Sequence, residues 1–102
     1  MRRELGDRLG LARVLEGAAA LAAAEGDSLG PARTWGAAER LREELGSPMS
    51  PNERPRNARY IAMARAATGD EGEFERAWRQ GREMALDETI MRAFRRPDGG
   101  ES

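Results

Sequence analysis

Residues 15–35 have the sequence LEGAAALAAAEGDSLGPARTW, which predicts two helices joined by a single turn. Apolar side chains recur at helical spacing before the turn, at Leu15, Ala18, Ala19 and Ala22. Gly26 is expected to end the first helix in the left-handed conformation, and Pro31 suits the first turn of the second helix. Because most of the apolar stripe is alanine, we expect the second helix to pack closely against the first.

The same order of helix, Gly-Asp turn and helix recurs at Gly69-Asp70, which indicates a second helical pair. Hydrophobic periodicity predicts helices over about 7–25, 31–45, 50–68, 70–82 and 86–95. No stretch of useful length alternates between apolar and polar residues, so no β-strand is predicted. The chain is therefore predicted to be an all-α helical-repeat domain, with two antiparallel helix pairs and a short C-terminal helix. This domain spans residues 1–96, and residues 97–102 are expected to be disordered.

Local signals mark two of the predicted helix starts and one inner face. Ser50 and Glu53 form a capping-box pattern for the third helix, although Pro55 is close enough to delay its first regular turn. Asp70 and Glu73 form a similar pattern at the start of the fourth helix. The fifth helix is predicted to place four large apolar side chains on its inner face, namely Leu86, Ile90, Met91 and Phe94.

The residue inventory excludes most routes to catalysis. The chain contains neither Cys nor His, and all 17 of its basic residues are Arg. Thiol nucleophiles, thiolate or imidazole metal sites, Schiff-base lysines and the usual neutral-pH proton shuttle are therefore absent. Acidic residues on the predicted helices are interpreted as solvated faces rather than paired catalytic carboxylates: Glu43, Glu44, Glu71, Glu73 and Glu75. We predict no enzymatic activity, no cofactor and no metal site.

The charge balance argues against polyanionic partners. The 17 basic and 18 acidic residues leave a net charge of −1, so general attraction to nucleic acid or an anionic membrane is not expected. Direct nucleic-acid binding is a minor hypothesis, because arginines are grouped at two places in the chain. The first group is Arg54, Arg56 and Arg59, and the second is Arg92, Arg95 and Arg96. No apolar run is long enough to span a bilayer and no signal peptide is recognised, so a cytoplasmic location is expected.

Three aromatic side chains form the candidate partner or ligand surface: Trp35, Tyr60 and Trp78. Each tryptophan is expected to anchor the second helix of its pair in the core, and the alternative places one of them in a groove. The first functional hypothesis is an interaction module that uses an uncovered apolar face of the first helix. Through this face it would bind a protein partner or self-associate, for example as a homodimer. The second hypothesis is a small-molecule sensor with a pocket between the helix pairs, near these three residues.

Several segments resemble the tetratricopeptide-like repeats of large bacterial signalling proteins. These proteins are multi-domain ATPases joined to LuxR-type DNA-binding domains, to transcriptional activation modules or to nucleotide cyclase domains. The similar segments are LGDRLGLA at 5–12, AAAEGD at 22–27, WGAAERLR at 35–42 and ARAATG at 64–69, then Phe74, Ala77-Trp78, Gly81-Arg82 and Leu86-Asp87-Glu88. Two positions depart from the family pattern, because Pro31 replaces the usual Ala and Ala85 replaces a hydroxyl N-cap.

The resemblance implies a tetratricopeptide-like interaction or sensor region at the C-terminal end of such a regulator, rather than its ATPase or DNA-binding domain. It also implies a set of helix-packing positions, namely Leu15, Ala18, Ala19, Ala22, Trp35 and Ala38. On this basis the chain is expected to act in bacterial transcription regulation or signalling through a protein partner.

Overall fold

The computed structural model describes residues 2–94, with side chains described from residue 6. Five α-helices occupy this part of the chain: α1 Arg2–Ala24, α2 Leu29–Leu45, α3 Arg54–Thr68, α4 Glu71–Glu83 and α5 Leu86–Phe94. No β-strand occurs among residues 2–94, which confirms the all-α prediction. None of these helices combines the length and the apolar character that crossing a membrane requires. Arg95 and the predicted disordered tail, residues 97–102, lie outside the described residues.

Glycines in left-handed conformations follow the first three helices, as the sequence predicts. Gly26, Gly46 and Gly69 have φ angles of 100°, 66° and 75°. A residue with a Cβ atom is disfavoured at such angles, whereas glycine adopts them readily. At the end of α2, the backbone N–H of Gly46 donates to the carbonyl group of Glu43 at 3.1 Å, which satisfies one of the last helical carbonyls.

The capping box predicted at Ser50 and Glu53 is wrong. The third helix begins only at Arg54, and no side-chain hydrogen bond caps it. Pro55 has no N–H to donate to the carbonyl group of Pro51, so the regular hydrogen-bond ladder is delayed until after the proline. The proline therefore outweighs the capping signal that precedes it.

The other helix starts differ from the predictions in smaller ways. At the start of α4, the carboxylate of Asp70 accepts a hydrogen bond from the backbone N–H of Glu73 at 3.3 Å. This bond confirms one half of the predicted reciprocal cap, and no hydrogen bond from the Asp70 N–H to the Glu73 side chain accompanies it. The first helix begins at Arg2 instead of near residue 7. The second begins at Leu29, so that Pro31 lies within its first turn, where a missing N–H removes no intrahelical bond.

The central helix of the fold is α2, which packs against α1 and against α4. The first helix also contacts α3 and α5, whereas contacts between α3 and α4 are few. The main core cluster combines alanines with two large aromatic residues: Ala19, Ala23, Ala32, Trp35, Ala64, Phe74 and Ala77. The second helix pair is thus held mainly by packing against the first pair.

Two glycines bring the backbones of α2 and α4 into contact. A Cβ atom added at Gly36 would overlap the carbonyl oxygen of Trp78 and lie 3.2 Å from the backbone nitrogen of Arg82. A Cβ atom added at Gly81 would overlap the carbonyl oxygen of Arg33 and lie 2.6 Å from its carbonyl carbon. Only glycine at both positions permits this close approach of the two helices.

The predicted inner face of α5 is wrong for two of its four residues. Met91 and Phe94 are 67% and 51% exposed, and Leu86 and Ile90 are only half-buried. The buried face of the helix contains Thr89 instead, whose hydroxyl donates to a backbone carbonyl group one turn earlier at 3.3 Å. Because this local hydrogen bond satisfies the hydroxyl, the threonine can be buried and the large apolar side chains point to solvent.

Candidate functional site

The three predicted aromatic residues do not line one pocket. Trp35 is buried in the core, and its ring stacks on the partly exposed ring of Trp78 with centroids 6.2 Å apart and an interplanar angle of 23°. Phe74 also contacts Trp78, with ring centroids 6.1 Å apart and an interplanar angle of 44°. Tyr60 is half-buried on α3 and lines a separate surface. The two tryptophans therefore join α2 to α4, and Tyr60 faces a groove that neither of them lines.

Both indole groups are hydrogen-bonded to neighbouring helices. Trp35 Nε1 donates to Asn57 Oδ1 at 3.1 Å, which ties the core to α3. Trp78 Nε1 donates to Glu39 Oε1 at 2.8 Å, which ties α4 to α2. Within the described residues, no buried side-chain nitrogen or oxygen atom lacks a hydrogen-bond partner. The polar atoms of the tryptophans are thus used within the fold.

A groove of about 420 Å³ lies between α1 and the beginning of α3. We call it the α1–α3 groove; its lining residues are Arg13, Glu16, Gly17, Ala20, Leu21, Ala24, Met49, Glu53, Arg56, Asn57 and Tyr60. Leu21 is 62% exposed, and Val14 is also exposed two turns earlier on α1. These two residues are not part of the apolar stripe that the sequence predicted for the first helix, of which Leu15 and Ala19 are buried. Large apolar side chains on a concave surface are typical of interaction sites.

An ion pair with little solvent exposure lies at one wall of the groove. Arg42 Nε donates to Glu16 Oε2 at 2.6 Å, and Arg42 Nη2 donates to Glu16 Oε1 at 3.0 Å. The two side chains are 8% and 12% exposed, respectively. The hydrogen bonds to Glu16 raise the pKa of Arg42 above its ordinary value, despite the opposing effect of burial. Both carboxylate oxygens of Glu16 are therefore occupied by Arg42.

Two guanidinium groups on the groove have no such partner. Arg13 and Arg56 form no ion pair in the described part of the chain. Five other arginines do form ion pairs, namely Arg40, Arg42, Arg65, Arg82 and Arg92. Guanidinium groups beside an apolar surface favour a ligand that combines apolar groups with a carboxylate or a similar anion. The α1–α3 groove offers this combination of apolar and guanidinium groups.

A second cluster of charges lies where α2 meets α4. Arg82 Nη1 donates to Glu39 Oε1 at 3.0 Å, and Arg82 Nη2 donates to Glu43 Oε1 at 2.8 Å. These bonds raise the pKa of Arg82, and the hydrogen bond from Arg82 lowers the pKa of Glu43. The cluster is saturated by its own hydrogen bonds and joins the two helices, so we interpret it as structural.

The contribution of Glu43 to stability is expected to decrease at acidic pH. Because the pKa of Glu43 is lowered from 4.5 in the folded state, its ionised form stabilises the fold above that pH. This contribution is lost as the pH falls through the lowered folded-state pKa. Urea unfolding of Glu43→Gln should therefore show a smaller loss of stability than the wild type between about pH 6 and about pH 3.

The matched control for this experiment is Glu83→Gln, which removes an exposed carboxylate of α4 that forms no ion pair among the described residues. The control should keep the pH dependence of the wild type. If the curves of Glu43→Gln and the wild type run parallel over this pH range, the Arg82–Glu43 interaction does not contribute as described.

The α1–α3 groove was not predicted from the sequence. Leu21 lies outside the apolar stripe of α1. A large apolar residue outside the stripe is expected to be exposed, and this was the one signal of the groove in the sequence. Met49 and Arg56 reach the groove only because α3 packs beside α1.

Among the side chains that the structure describes, no three acidic residues lie close enough together to hold a metal ion. Comparison of the chain with protein-family models, with curated proteins and with solved structures gives no match.

Proposed function

We propose that the chain is a non-catalytic helical-repeat module that binds a protein through the α1–α3 groove. The observation that carries this proposal is the exposure of Leu21 on a concave surface between two packed helices. Grooves between helices commonly receive an amphipathic helix, and exposed apolar patches mark interaction surfaces. The lack of Cys, His and Lys in the sequence supports a role that involves binding without chemistry.

A tetratricopeptide-like arrangement and a relationship to bacterial ATPase regulators are part of the same proposal. The first helices of the two pairs, α1 and α3, contact each other, and so do the second helices, α2 and α4. Side-by-side packing of equivalent helices is what stacked helical repeats require. The resemblance at residues 22–27 and 35–42 supports a place in the C-terminal region of a transcriptional or signalling regulator. There the module would recruit a protein rather than hydrolyse a nucleotide.

A small-molecule sensor is the second candidate function. The groove volume of about 420 Å³ falls within the range of ligand pockets, about 300–1,000 Å³. Only Tyr60 among the three predicted aromatic residues reaches this groove, so the pocket would differ from the one that the sequence suggested. Thermal unfolding in the presence of a metabolite panel separates the two functions, because a metabolite that binds the groove raises the melting temperature.

Binding of amphipathic helical peptides tests the proposed function. A panel of fluorescent peptides with acidic, neutral or basic polar faces is titrated with dilute protein, and fluorescence anisotropy reports binding. We expect the acidic peptides to bind best, because Arg13 and Arg56 lie on the groove. Leu21→Asp should weaken this binding by about ten-fold or more, since it places a charge on the apolar floor.

The matched control is Met63→Asp, which changes an exposed apolar residue of α3 that does not line the groove. It should bind the same peptides as the wild type does. The proposal is overturned if no peptide binds, or if Leu21→Asp and Met63→Asp affect binding equally.

A further inference from the structure

We propose that the protein in the α1–α3 groove is a second copy of the same chain, which inserts the exposed face of its α5 helix. This inference rests on the proposed function, because it names the occupant of the same groove. The inserted face, which we call the α5 ridge, consists of Asp87, Met91 and Phe94. Both surfaces carry exposed apolar side chains, their unpaired charges are mainly of opposite sign, and both belong to the same polypeptide.

The α5 ridge has the form of a helix that binds in a groove. Its three residues are spaced four and three positions apart, so they project from one side of the helix. All three are exposed, and the partly exposed side chain of Ile90 lies beside them. Apolar anchors at this spacing are those that amphipathic helices insert into grooves on their partners. The ridge therefore presents an apolar surface that this copy of the chain leaves in water.

The floor of the α1–α3 groove suits such a helix. Leu21, Met49 and Tyr60 supply large apolar side chains, and small residues between them leave space for a close approach. A Cβ atom added at Gly17 would have no neighbour within 4 Å. A second helix crossing α1 there would use the space.

The charges of the two surfaces match. Asp87 forms no ion pair among the described residues, and neither does Arg13 or Arg56. The carboxylate of Glu16 does not oppose an acidic ligand strongly, because Arg42 donates to both of its oxygens. Glu53 also lines the groove and forms no ion pair among the described residues, so the guanidinium groups of Arg13 and Arg56 exceed the unpaired carboxylates by one. Docking of the ridge would bring the carboxylate of Asp87 to this excess of positive charge, which favours it over a basic occupant.

The position of the two surfaces allows each copy to give and receive a ridge. Ala20 and Ala24 of α1 line the groove beside α3, whereas Ala18 and Ala22 line a crevice beside Ala93 of α5. The groove and the ridge therefore flank the same helix. In a two-fold symmetric dimer, any contact from ridge to groove is repeated in reverse. Two such contacts double the apolar area that one ridge buries, and larger buried areas are typical of specific interfaces.

Analytical ultracentrifugation of the full chain tests this inference. The wild type is expected to pass from a monomer of 11.2 kDa to a dimer as its concentration rises. Concentrations from about 10 µM to about 1 mM cover the affinities of small interfaces. Met91→Asp should raise the dimer dissociation constant by about ten-fold or more, because it places a charge on the apolar ridge. Circular dichroism confirms that the variant is folded.

Charge reversal then identifies the contact. Arg13→Glu with Arg56→Glu should weaken the dimer, and so should Asp87→Arg alone, because each places like charges together. All three substitutions in one chain should restore much of the wild-type affinity. The control Arg79→Glu reverses an exposed charge on α4 that lines neither surface, and its dimer should resemble that of the wild type.

Each other outcome overturns the inference. A wild type that stays monomeric at the highest concentration excludes the second copy as occupant, as does a dimer that none of these substitutions weakens. A triple variant that dimerises no better than its parents excludes the pairing of ridge and groove. If the wild type is monomeric but acidic peptides still bind in a manner sensitive to Leu21→Asp, the proposed function stands and only the self-association falls.

Discussion

Gly81→Ala is expected to lower the free energy of unfolding by about 3 kcal/mol, a large share of the stability of a domain this size. The added Cβ atom would overlap the carbonyl oxygen of Arg33 and approach its Cα atom to 2.7 Å. Overlap with a flexible side chain is relieved by rotation, but here the obstacle is the backbone of α2. The two helices must move apart, which separates the stacked rings of Trp35 and Trp78.

The same substitution elsewhere in the chain provides a matched control. At Gly10 of α1, a Cβ atom would meet nothing within 4 Å. Alanine is a better helix former than glycine, so Gly10→Ala should stabilise the fold by about 0.5–1 kcal/mol. Urea unfolding followed by circular dichroism measures both effects. Equal stabilities for Gly81→Ala and Gly10→Ala would show that α2 and α4 do not cross as closely as described.

The contrast between these glycines shows which parts of the fold are encoded locally. Gly26, Gly46 and Gly69 follow apolar periodic segments, so the ends of three helices could be predicted from their own neighbourhoods. Gly36 and Gly81 lie inside helices, where the local sequence gives no sign that a second backbone approaches. Their role depends on the crossing of α2 and α4, which is a tertiary contact between segments far apart in the chain.

The candidate site was less predictable than the fold for the same reason. Burial of Trp35 could be predicted because it lies on the apolar stripe of its own helix. Periodicity placed Met91 and Phe94 on an inner face, yet the structure exposes them and buries the opposite face of α5, which carries Thr89. A helical pattern identifies the residues that share a side, but not which side meets the core when the helix is short. The groove requires α1 and α3 together, and no single segment contains that information.

Glu16→Ala is expected to destabilise the fold by about 3 kcal/mol, because it leaves the guanidinium group of Arg42 in a site that is only 8% exposed. In the native chain the two groups share two hydrogen bonds, at 2.6 Å and 3.0 Å. After the substitution, Arg42 keeps a hydrogen bond to the carbonyl oxygen of Ser47, at 3.1 Å, but has lost its charge partner. Urea unfolding at neutral pH measures the loss.

Two further variants separate two contributions to the free energy of unfolding. One is the cost of leaving a buried charge without a partner, and the other is the net stabilisation by the ion pair itself. Glu44→Ala removes the exposed partner of Arg40 one turn away, and we expect a loss within about 0.5 kcal/mol. Glu16→Leu combined with Arg42→Met replaces both buried charges with apolar side chains and should recover most of the stability that Glu16→Ala loses. Recovery by the double variant means that the native arginine is tolerated at the groove wall only because Glu16 neutralises it. A loss from Glu16→Ala no greater than that from Glu44→Ala contradicts this account, since solvent would then be screening Arg42 as effectively as Glu16 does.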